Sequence, residues 1–226
     1  MIKLTKIYFV RHCEAEGNVR RIFQGTTDLD ITELGAEQLK LLEKRFENIN
    51  LDKIYTSPLI RAKKTALALK GSKQTEVAVL DSLCELYGGV VEGRKFSEAF
   101  NSIEGLADIW KNHPQDFAPQ DGESMKDAYD RIFEALNFII KNNQGKTVAC
   151  ASHGGVIRCL LCRLLYNDIT KLKEVPWSEN TAVTLIESDD DNTIRVKFFN
   201  DFSHLPKELI SNVANQLSNF GKEKDE

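Results

Sequence analysis

Two histidines, two arginines and one carboxylate give this sequence the groups that phosphoryl transfer needs: Arg11, His12, Arg61, Glu85 and His153. Arginine is permanently cationic, and its forked N–H donors match the oxygens of a phosphate group. A neutral His12 beside such cations can attack phosphorus and form a covalent phosphohistidine. Glu85 can protonate the departing alkoxide and then deprotonate the attacking water. The residue types therefore predict phosphoryl transfer, with cationic groups stabilising the charge that moves with the phosphoryl group.

Local patterns predict the elements that hold these residues. Short strand-like runs predict four strands, at residues 7–10, 53–56, 76–80 and 147–151. Helical patterns separate the strands along the chain. Strand–helix alternation predicts an α/β fold with a mostly parallel sheet and helices on both faces, in three α/β/α layers. Two later runs, 181–187 and 193–199, predict a hairpin around an acidic turn.

Caps and apolar stripes predict where the helices lie. Thr32 can cap the helix after the first strand, and Gly71 ends the helix after the second. The stripe that begins at Met125 marks a long helix ending near Gly145, and the apolar run 156–165 predicts the helix after the fourth strand. The last stripe predicts a terminal helix before a charged tail (221–226), and its members are Leu205, Leu209, Val213 and Leu217.

The predicted strands place the five polar residues at one edge of the sheet. Arg11 and His12 follow the first strand, Arg61 the second, Glu85 the third and His153 the fourth. Ligands of such sheets bind beyond the carboxyl ends of the strands. His153 also precedes the N-terminus of a predicted helix, where free N–H groups favour an anion. The topology therefore predicts one phosphate site that all five residues share.

Composition narrows the class of protein further. The chain has 226 residues, 42% of them hydrophobic, and a formal net charge of −4. This balance excludes intrinsic disorder, and it gives no general attraction to nucleic acid or to an acidic membrane. No apolar run approaches the roughly 20 residues that span a bilayer, and the first apolar stretch is too short for a signal peptide. We expect a cytoplasmic protein, monomeric or homodimeric, with one domain over 1–226.

The cysteines are odd in number and predict free thiols in a reducing compartment: Cys13, Cys84, Cys150, Cys159 and Cys162. Cys159 and Cys162 form a C-x-x-C pair inside a predicted helix. Because no second pair or histidine lies nearby, we expect buried thiols there rather than a zinc site.

Several short motifs follow one another in an order that is typical of one family. They are Phe9-Val10-Arg11-His12-Cys13-Glu14 with Asn18, Gln24-Gly25, Thr56-Ser57-Pro58-Leu59-x-Arg61-Ala62-x-x-Thr65-Ala66, Leu83-x-Glu85-Leu86 with Glu92-Gly93, Gly122-Glu123-Ser124, and Ser152-His153-Gly154-Gly155-Val156-Ile157-Arg158 with Asn180. Together they resemble the histidine phosphatase (phosphoglycerate mutase-like) superfamily, over about residues 6–185.

This resemblance implies roles for individual residues. His12 would be the nucleophile and Glu85 the proton donor, with Arg11, Arg61 and His153 completing the phosphate pocket. The implied substrate-binding residues are Asn18, Gln24, Gly25 and Gly154. The resemblance also implies a phosphatase that needs neither a metal nor a cofactor, with a small phosphorylated metabolite or inorganic phosphate as its ligand.

The sequence departs from the family pattern at three positions. Cys13 stands where the family has Gly, and we expect its side chain to turn away from the phosphate. Val91 replaces a common aromatic and Asp30 a usual Pro, and both changes concern the rim of the pocket. Cysteine phosphatases carry an Arg six residues after the reactive thiol, and none of the five cysteines here does, so Cys13 is not the expected nucleophile.

Two alternatives to hydrolysis stay open. Mutases of this superfamily have an Arg directly after the general acid, where it helps to hold a bisphosphorylated cofactor. Leu86 occupies that position here, which favours hydrolysis over a cofactor-dependent phosphoglycerate mutase. A non-catalytic protein that binds a phosphorylated ligand is the second alternative, in which Cys13 hampers turnover.

The segment 96–121 predicts an inserted helical lid. Its apolar residues at roughly helical spacing are Phe96, Phe100, Ile103 and Trp110. These side chains either fill a core beneath the inserted helices, or some of them face the pocket and select an apolar or aromatic leaving group. Arg20 and Arg21 are either solvated or bind a distal anionic group of the substrate.

Overall fold

A six-stranded sheet lies at the centre of the computed structural model, which describes residues 4–191, 193–213 and 217. Its strands are β1 (Thr5–Arg11), β2 (Lys53–Thr56), β3 (Glu76–Val79), β4 (Thr147–Ser152), β5 (Val183–Ser188) and β6 (Ile194–Asp201). The strand order is β3-β2-β4-β1-β5-β6. Strands β1 to β4 are parallel, whereas β5 runs antiparallel to β1 and β6 antiparallel to β5. The predicted mostly parallel sheet and the predicted hairpin are both confirmed.

Helices follow the strands as the alternation predicts. They are α1 (Glu16–Val19), α2 (Glu33–Phe46), α3 (Ile60–Lys70), α4 (Phe96–Asn101), α5 (Leu106–Asn112), α6 (Met125–Asn142) and α7 (Gly154–Tyr166). The Thr32 side chain caps α2 by accepting a 3.0 Å hydrogen bond from Gly35 N. Gly71 ends α3 in a conformation with φ of 54°, which glycine adopts at little cost. In the described part of the chain, no helix is long and apolar enough to cross a membrane.

The helices cover both faces of the sheet. Alternate residues of β1 point to opposite faces, so Phe9 joins a core cluster with α6 and α7 while Val10 joins another with α2 and α3. Arg61, on the second of these faces, is also fully buried. The three-layer α/β/α arrangement predicted from the sequence is therefore confirmed.

The register of the two central strands brings the two histidine positions together. Arg11 pairs with Ser152 at the carboxyl ends of β1 and β4. His12 and His153 are the next residues along each strand, and their rings lie 5.2 Å apart between centroids. Residues 141 positions apart in the sequence thus become neighbours because adjacent parallel strands end at the same edge.

The predicted terminal helix is wrong for residues 205–212. Lys207–Leu209 form a short 3-10 turn, and Asn212 has a left-handed backbone with φ of 56°. The Leu209 carbonyl, which a helix would use internally, accepts a 2.9 Å hydrogen bond from Gln38 Nε2. Tertiary hydrogen bonds thus override the helical periodicity in this segment. The charged tail, 221–226, lies outside the described residues.

Candidate active site

A cavity of about 520 Å³ opens at the carboxyl edge of the sheet. Six residues that the sequence assigns to the site line it: Arg11, His12, Asn18, Gln24, Glu85 and Gly154. Three others are buried beside this cavity without forming part of its described lining: Gly25, Arg61 and His153. The fold therefore gathers all nine residues around one place, in two layers.

His12 is held in one tautomer by its neighbour. Its Nδ1 lies 2.6 Å from the Cys13 carbonyl oxygen, which can only accept a hydrogen bond, so Nδ1 carries the proton. Burial lowers the pKa of His12 well below its usual value, and the positive charges of Arg61 and Arg11 lower that pKa further. The ring is therefore neutral at physiological pH and keeps its lone pair on Nε2, which is the form that can act as a nucleophile.

His153 is also fully buried and neutral. Its Nε2 lies 2.7 Å from Ser57 Oγ, which fixes the orientation of the ring. Burial is the main reason that its pKa lies well below the usual value, with Arg61 and His12 lowering it further. Its Nδ1 is buried and has no hydrogen-bond partner among the described residues. The sequence motif contained Ser57 but gave no reason to connect it with this ring.

Arg61 is fully buried and is held by main-chain carbonyls. Its Nη1 donates to Thr27 O at 2.9 Å, and its Nη2 donates to Gln24 O at 2.8 Å and to Gly25 O at 3.1 Å. Gln24 also lines the cavity, whereas Gly25 lies beneath it, where a Cβ would collide with the Leu86 carbonyl. The contribution of Gly25 to the site is thus its backbone, which positions Arg61.

Arg11 lines the cavity and donates from Nη1 to the Ser178 carbonyl. Burial lowers its pKa to about 10, so the guanidinium keeps its charge at neutral pH. The Arg11 guanidinium packs closely against the backbone of Gly154, where a Cβ would lie 3.1 Å from Arg11 Nε. The Nε atoms of Arg11 and Arg61 are both buried without a hydrogen-bond partner in the described part of the chain. Both guanidiniums therefore keep donor capacity beyond their structural contacts.

Glu85 lies at the N-terminus of α7. Its Oε2 accepts a 2.8 Å hydrogen bond from Gly155 N, and its Oε1 accepts one of 3.1 Å from Val156 N. Both N–H groups belong to the first turn of α7 and have no partner within the helix. A Cβ at residue 155 would lie 2.6 Å from Glu85 Oε1, so glycine is needed for this contact. The carboxylate is thereby fixed at the wall of the cavity that also contains His12.

Arg131, in α6, holds the loop that carries Glu85. Its Nη1 donates to Ser82 O at 2.7 Å and to Cys84 O at 3.0 Å. Its Nε and Nη2 form a two-point pair with the Glu123 carboxylate, at 2.6 and 2.7 Å. Sequence reasoning missed Arg131, because nothing in its position on the predicted helix indicates which loop it reaches.

The five cysteines are free, and four of them are buried. Cys13 is not part of the described cavity lining, and burial raises the pKa of its thiol to about 12. Its backbone N donates to Thr65 Oγ1 at 3.2 Å. The Cys13 Sγ lies next to Gly35 of α2, where a Cβ would be 3.4 Å from it, so the thiol is turned away from the cavity, as the sequence predicted. Cys159 and Cys162 are buried in α7, and no described group of His, Cys, Asp or Glu could hold a metal ion.

The remaining lining of the cavity is largely apolar. Phe96 and Trp110 line it, whereas Phe100 is packed in the core beneath with only 1% of its surface exposed. The segment 96–121 thus contributes both to the core and to the cavity. Trp177 also lines the cavity and stacks on Trp110 with centroids 5.7 Å apart, a contact that sequence reasoning missed.

The two arginines that follow α1 differ in their surroundings. Arg20 is exposed and forms an ion pair with Glu16, one helical turn earlier. Arg21 has a left-handed backbone with φ of 52° and lines the cavity. Of the two, only Arg21 therefore lies where it can meet a ligand.

Comparisons with known proteins agree with this geometry. The family model of the histidine phosphatase superfamily (branch 1) matches residues 7–201. Phosphoserine phosphatase 1 of Hydrogenobacter thermophilus is 31% identical over 197 residues, covering 86% of this chain and 92% of that protein. A broad-specificity phosphatase of Saccharomyces cerevisiae is 34% identical, covering 84% of this chain and 82% of that protein. The solved structure of YhfR from Bacillus stearothermophilus has a TM-score of 0.83 and 33% identity, covering 88% of this chain and 98% of that chain.

These matches extend over most of the chain and include both the strands and the loops of the site. They confirm the predicted α/β fold and the predicted class of enzyme, a phosphatase. The chain belongs to the histidine phosphatase superfamily, branch 1.

Proposed function

We propose that the protein is a metal-independent phosphomonoester hydrolase that works through a phosphohistidine on His12. The observation that carries the proposal is the state of the His12 ring. Its Nδ1 donates a hydrogen bond to the Cys13 carbonyl. Its lowered pKa leaves Nε2 unprotonated beside two cations, Arg11 and Arg61. A neutral imidazole among guanidiniums is suited to attack a phosphate whose negative charge the guanidiniums attract.

The reaction has two steps. In the first, the Nε2 lone pair of His12 attacks phosphorus, the ester P–O bond breaks, and the Glu85 carboxyl gives its proton to the leaving oxygen. In the second, Glu85 takes a proton from a water molecule, whose oxygen attacks phosphorus while the P–N bond breaks. Arg11 and Arg61 neutralise the charge of the phosphoryl oxygens in both steps, and the neutral His153 ring donates a hydrogen bond to them. Asn18 and Gly154, which line the cavity, contact the bound phosphate group.

The substrate is proposed to be a small phosphorylated metabolite. Two relatives support this, since one is named a phosphoserine phosphatase and the other a broad-specificity phosphatase. Leu86 lines the cavity beside Glu85 and offers no charge to a second phosphate group, which favours hydrolysis over mutase activity. The buried thiol of Cys13 leaves the cavity clear, which favours an enzyme over a binding protein that lacks turnover.

Hydrolysis of p-nitrophenyl phosphate with and without EDTA tests this proposal. We expect turnover that resists the chelator and that His12→Ala abolishes. Rapid quenching followed by intact-mass spectrometry should reveal a gain of about 80 Da, the mass of one phosphoryl group, in the wild type alone. Turnover that EDTA abolishes, or that survives in His12→Ala, would contradict the mechanism. A panel of phosphorylated metabolites ranked by kcat/KM then identifies the preferred substrate.

A further inference from the structure

The chain continues beyond the part that the family model matches, and this continuation returns to the cavity. The match ends at residue 201, which is also the last residue of β6. We call residues 202–213 together with Leu217 the C-terminal segment. Val213 and Leu217 line the same cavity as His12 and Glu85. Val213 is only 4% exposed, and Leu217 packs against the core cluster that includes α6 and α7.

Two amide side chains tie the C-terminal segment to the turn that carries His12. Gln38 Oε1 accepts a 2.8 Å hydrogen bond from Glu14 N, while its Nε2 donates to Leu209 O. Asn180 Nδ2 donates to His12 O at 2.9 Å, while its Oδ1 accepts a 2.7 Å bond from Ser211 Oγ. Each amide thus joins one main-chain group of the turn to one group of the segment.

A third link runs through His204. Arg45 Nη1, which can only donate, lies 3.0 Å from His204 Nδ1, so the proton of this ring is on Nε2. That Nε2 lies 3.1 Å from Thr181 Oγ1, and Thr181 N donates to Arg11 O at 3.1 Å. These contacts join the start of the C-terminal segment to the same turn, so that the segment has a defined position relative to the nucleophile.

The cavity has room for more than a phosphate group. Its volume of about 520 Å³ is within the range of roughly 300–1,000 Å³ that small-molecule sites span. In the proposed reaction, the polar residues Arg11, His12 and Glu85 contact the phosphate ester group. Val213 and Leu217 add aliphatic surface to the aromatic lining that Phe96, Trp110 and Trp177 provide.

We propose that the C-terminal segment is a specificity-determining part of the active site, in which Val213 and Leu217 contact the leaving group of the substrate. The segment favours phosphomonoesters whose leaving group is apolar, because burying such a group against these side chains removes apolar surface from water. This inference rests on the proposed phosphatase activity, and it adds a chemical class of leaving group to that activity.

The test compares an apolar ester, 1-naphthyl phosphate, with a polar one, O-phosphoserine. Leu217→Asp should lower the ratio of the two kcat/KM values about tenfold, since a charged side chain opposes binding of the naphthyl ring. Leu217→Ala and Val213→Ala should lower the ratio two- to fivefold while the proteins stay folded. Leu67→Asp is the matched control, because Leu67 is exposed on α3 and is not part of the described cavity lining.

The outcomes separate the two proposals. A fall in kcat/KM by the same factor for both esters, in the alanine variants as well as in Leu217→Asp, would assign the segment a structural role only and overturn the inference. Failure of the wild type to hydrolyse either ester would instead overturn the proposed function. Thermal unfolding of every variant identifies any loss of folding, and the alanine variants decide the matter if Leu217→Asp does not fold.

Discussion

Ser57 Oγ and His153 Nε2 lie 2.7 Å apart at the bottom of the site. The bond fixes the orientation of the imidazole ring. It leaves Nδ1 without a hydrogen-bond partner among the described residues. When the Ser57 hydroxyl donates to Nε2, the proton of this neutral ring is on Nδ1, which can then donate to an anion. Ser57 therefore acts as a positioning residue for His153.

Ser57→Ala should lower kcat about tenfold, because His153 loses the bond that selects its tautomer and orientation. Ser188→Ala is the matched control, since Ser188 is also buried and its hydroxyl has no hydrogen-bond partner in the described part of the chain. Steady-state kinetics and thermal unfolding of both variants check this. Equal activity of the two variants would contradict the assigned role.

Glu85→Gln should affect substrates according to their leaving groups. An alkyl phosphate such as glycerol 2-phosphate needs a proton on its departing oxygen, so kcat/KM should fall about a hundredfold or more. The p-nitrophenolate ion leaves without protonation, so the first step with p-nitrophenyl phosphate should be much less affected. A burst of p-nitrophenolate followed by slow turnover would show that dephosphorylation has become limiting. An equal loss for the first step of both substrates would count against Glu85 as the general acid.

Arg131→Met should reproduce the Glu85→Gln pattern in a weaker form. The substitution removes the hydrogen bonds to the carbonyls of Ser82 and Cys84, and so frees the loop that carries Glu85. We expect kcat/KM for glycerol 2-phosphate to fall about tenfold, with a smaller effect on p-nitrophenyl phosphate. A purely structural role would lower both values alike. Arg195→Met is a suitable control, because Arg195 is exposed on β6 and pairs with Asp189.

Stability should depend on pH through two buried histidines and one half-buried histidine. The folded-state pKa values of His12, His153 and His204 are all lowered, chiefly by burial, that of His204 to about 4. Well above pH 6.5 these three histidines are neutral in the folded and unfolded states alike. As the pH falls below 6.5, only the unfolded chain takes up these protons, so folding loses stability.

The melting temperature should therefore stay nearly constant from pH 8 to pH 7 and fall between pH 6.5 and pH 5. His204→Asn should make this fall less steep, since one of the three rings with a lowered pKa is removed. Differential scanning calorimetry over this range decides the question, and a melting temperature that rises on acidification would refute the assignment.

Much of the fold follows from local patterns in the sequence. The short runs that predict β1, β2 and β4 are bounded by turn residues or followed by helical stripes, and the parallel order of these strands then brings Arg11, His12 and His153 to one edge. The capping hydroxyl of Thr32 and the left-handed Gly71 depend on neighbours a few residues away, so they are predictable as well.

The sequence fails where distant segments decide the outcome. The stripe that starts at Leu205 has helical spacing, but hydrogen bonds from Gln38 and to Asn180 hold residues 205–212 in another conformation. The contacts of Arg131 with the Glu85 loop and of Trp177 with Trp110 likewise join residues far apart in the chain. No periodicity in one sequence can indicate such pairs.

The two buried guanidiniums described above have a kinetic consequence. The hydrogen bonds that hold Arg11 and Arg61 go to carbonyl oxygens, which carry no net charge. In the proposed mechanism, the phosphate dianion released by the second step would bind these cations as well as the ester does. We therefore expect product inhibition, and for reactive esters we expect the escape of orthophosphate, rather than bond cleavage, to set the pace of turnover.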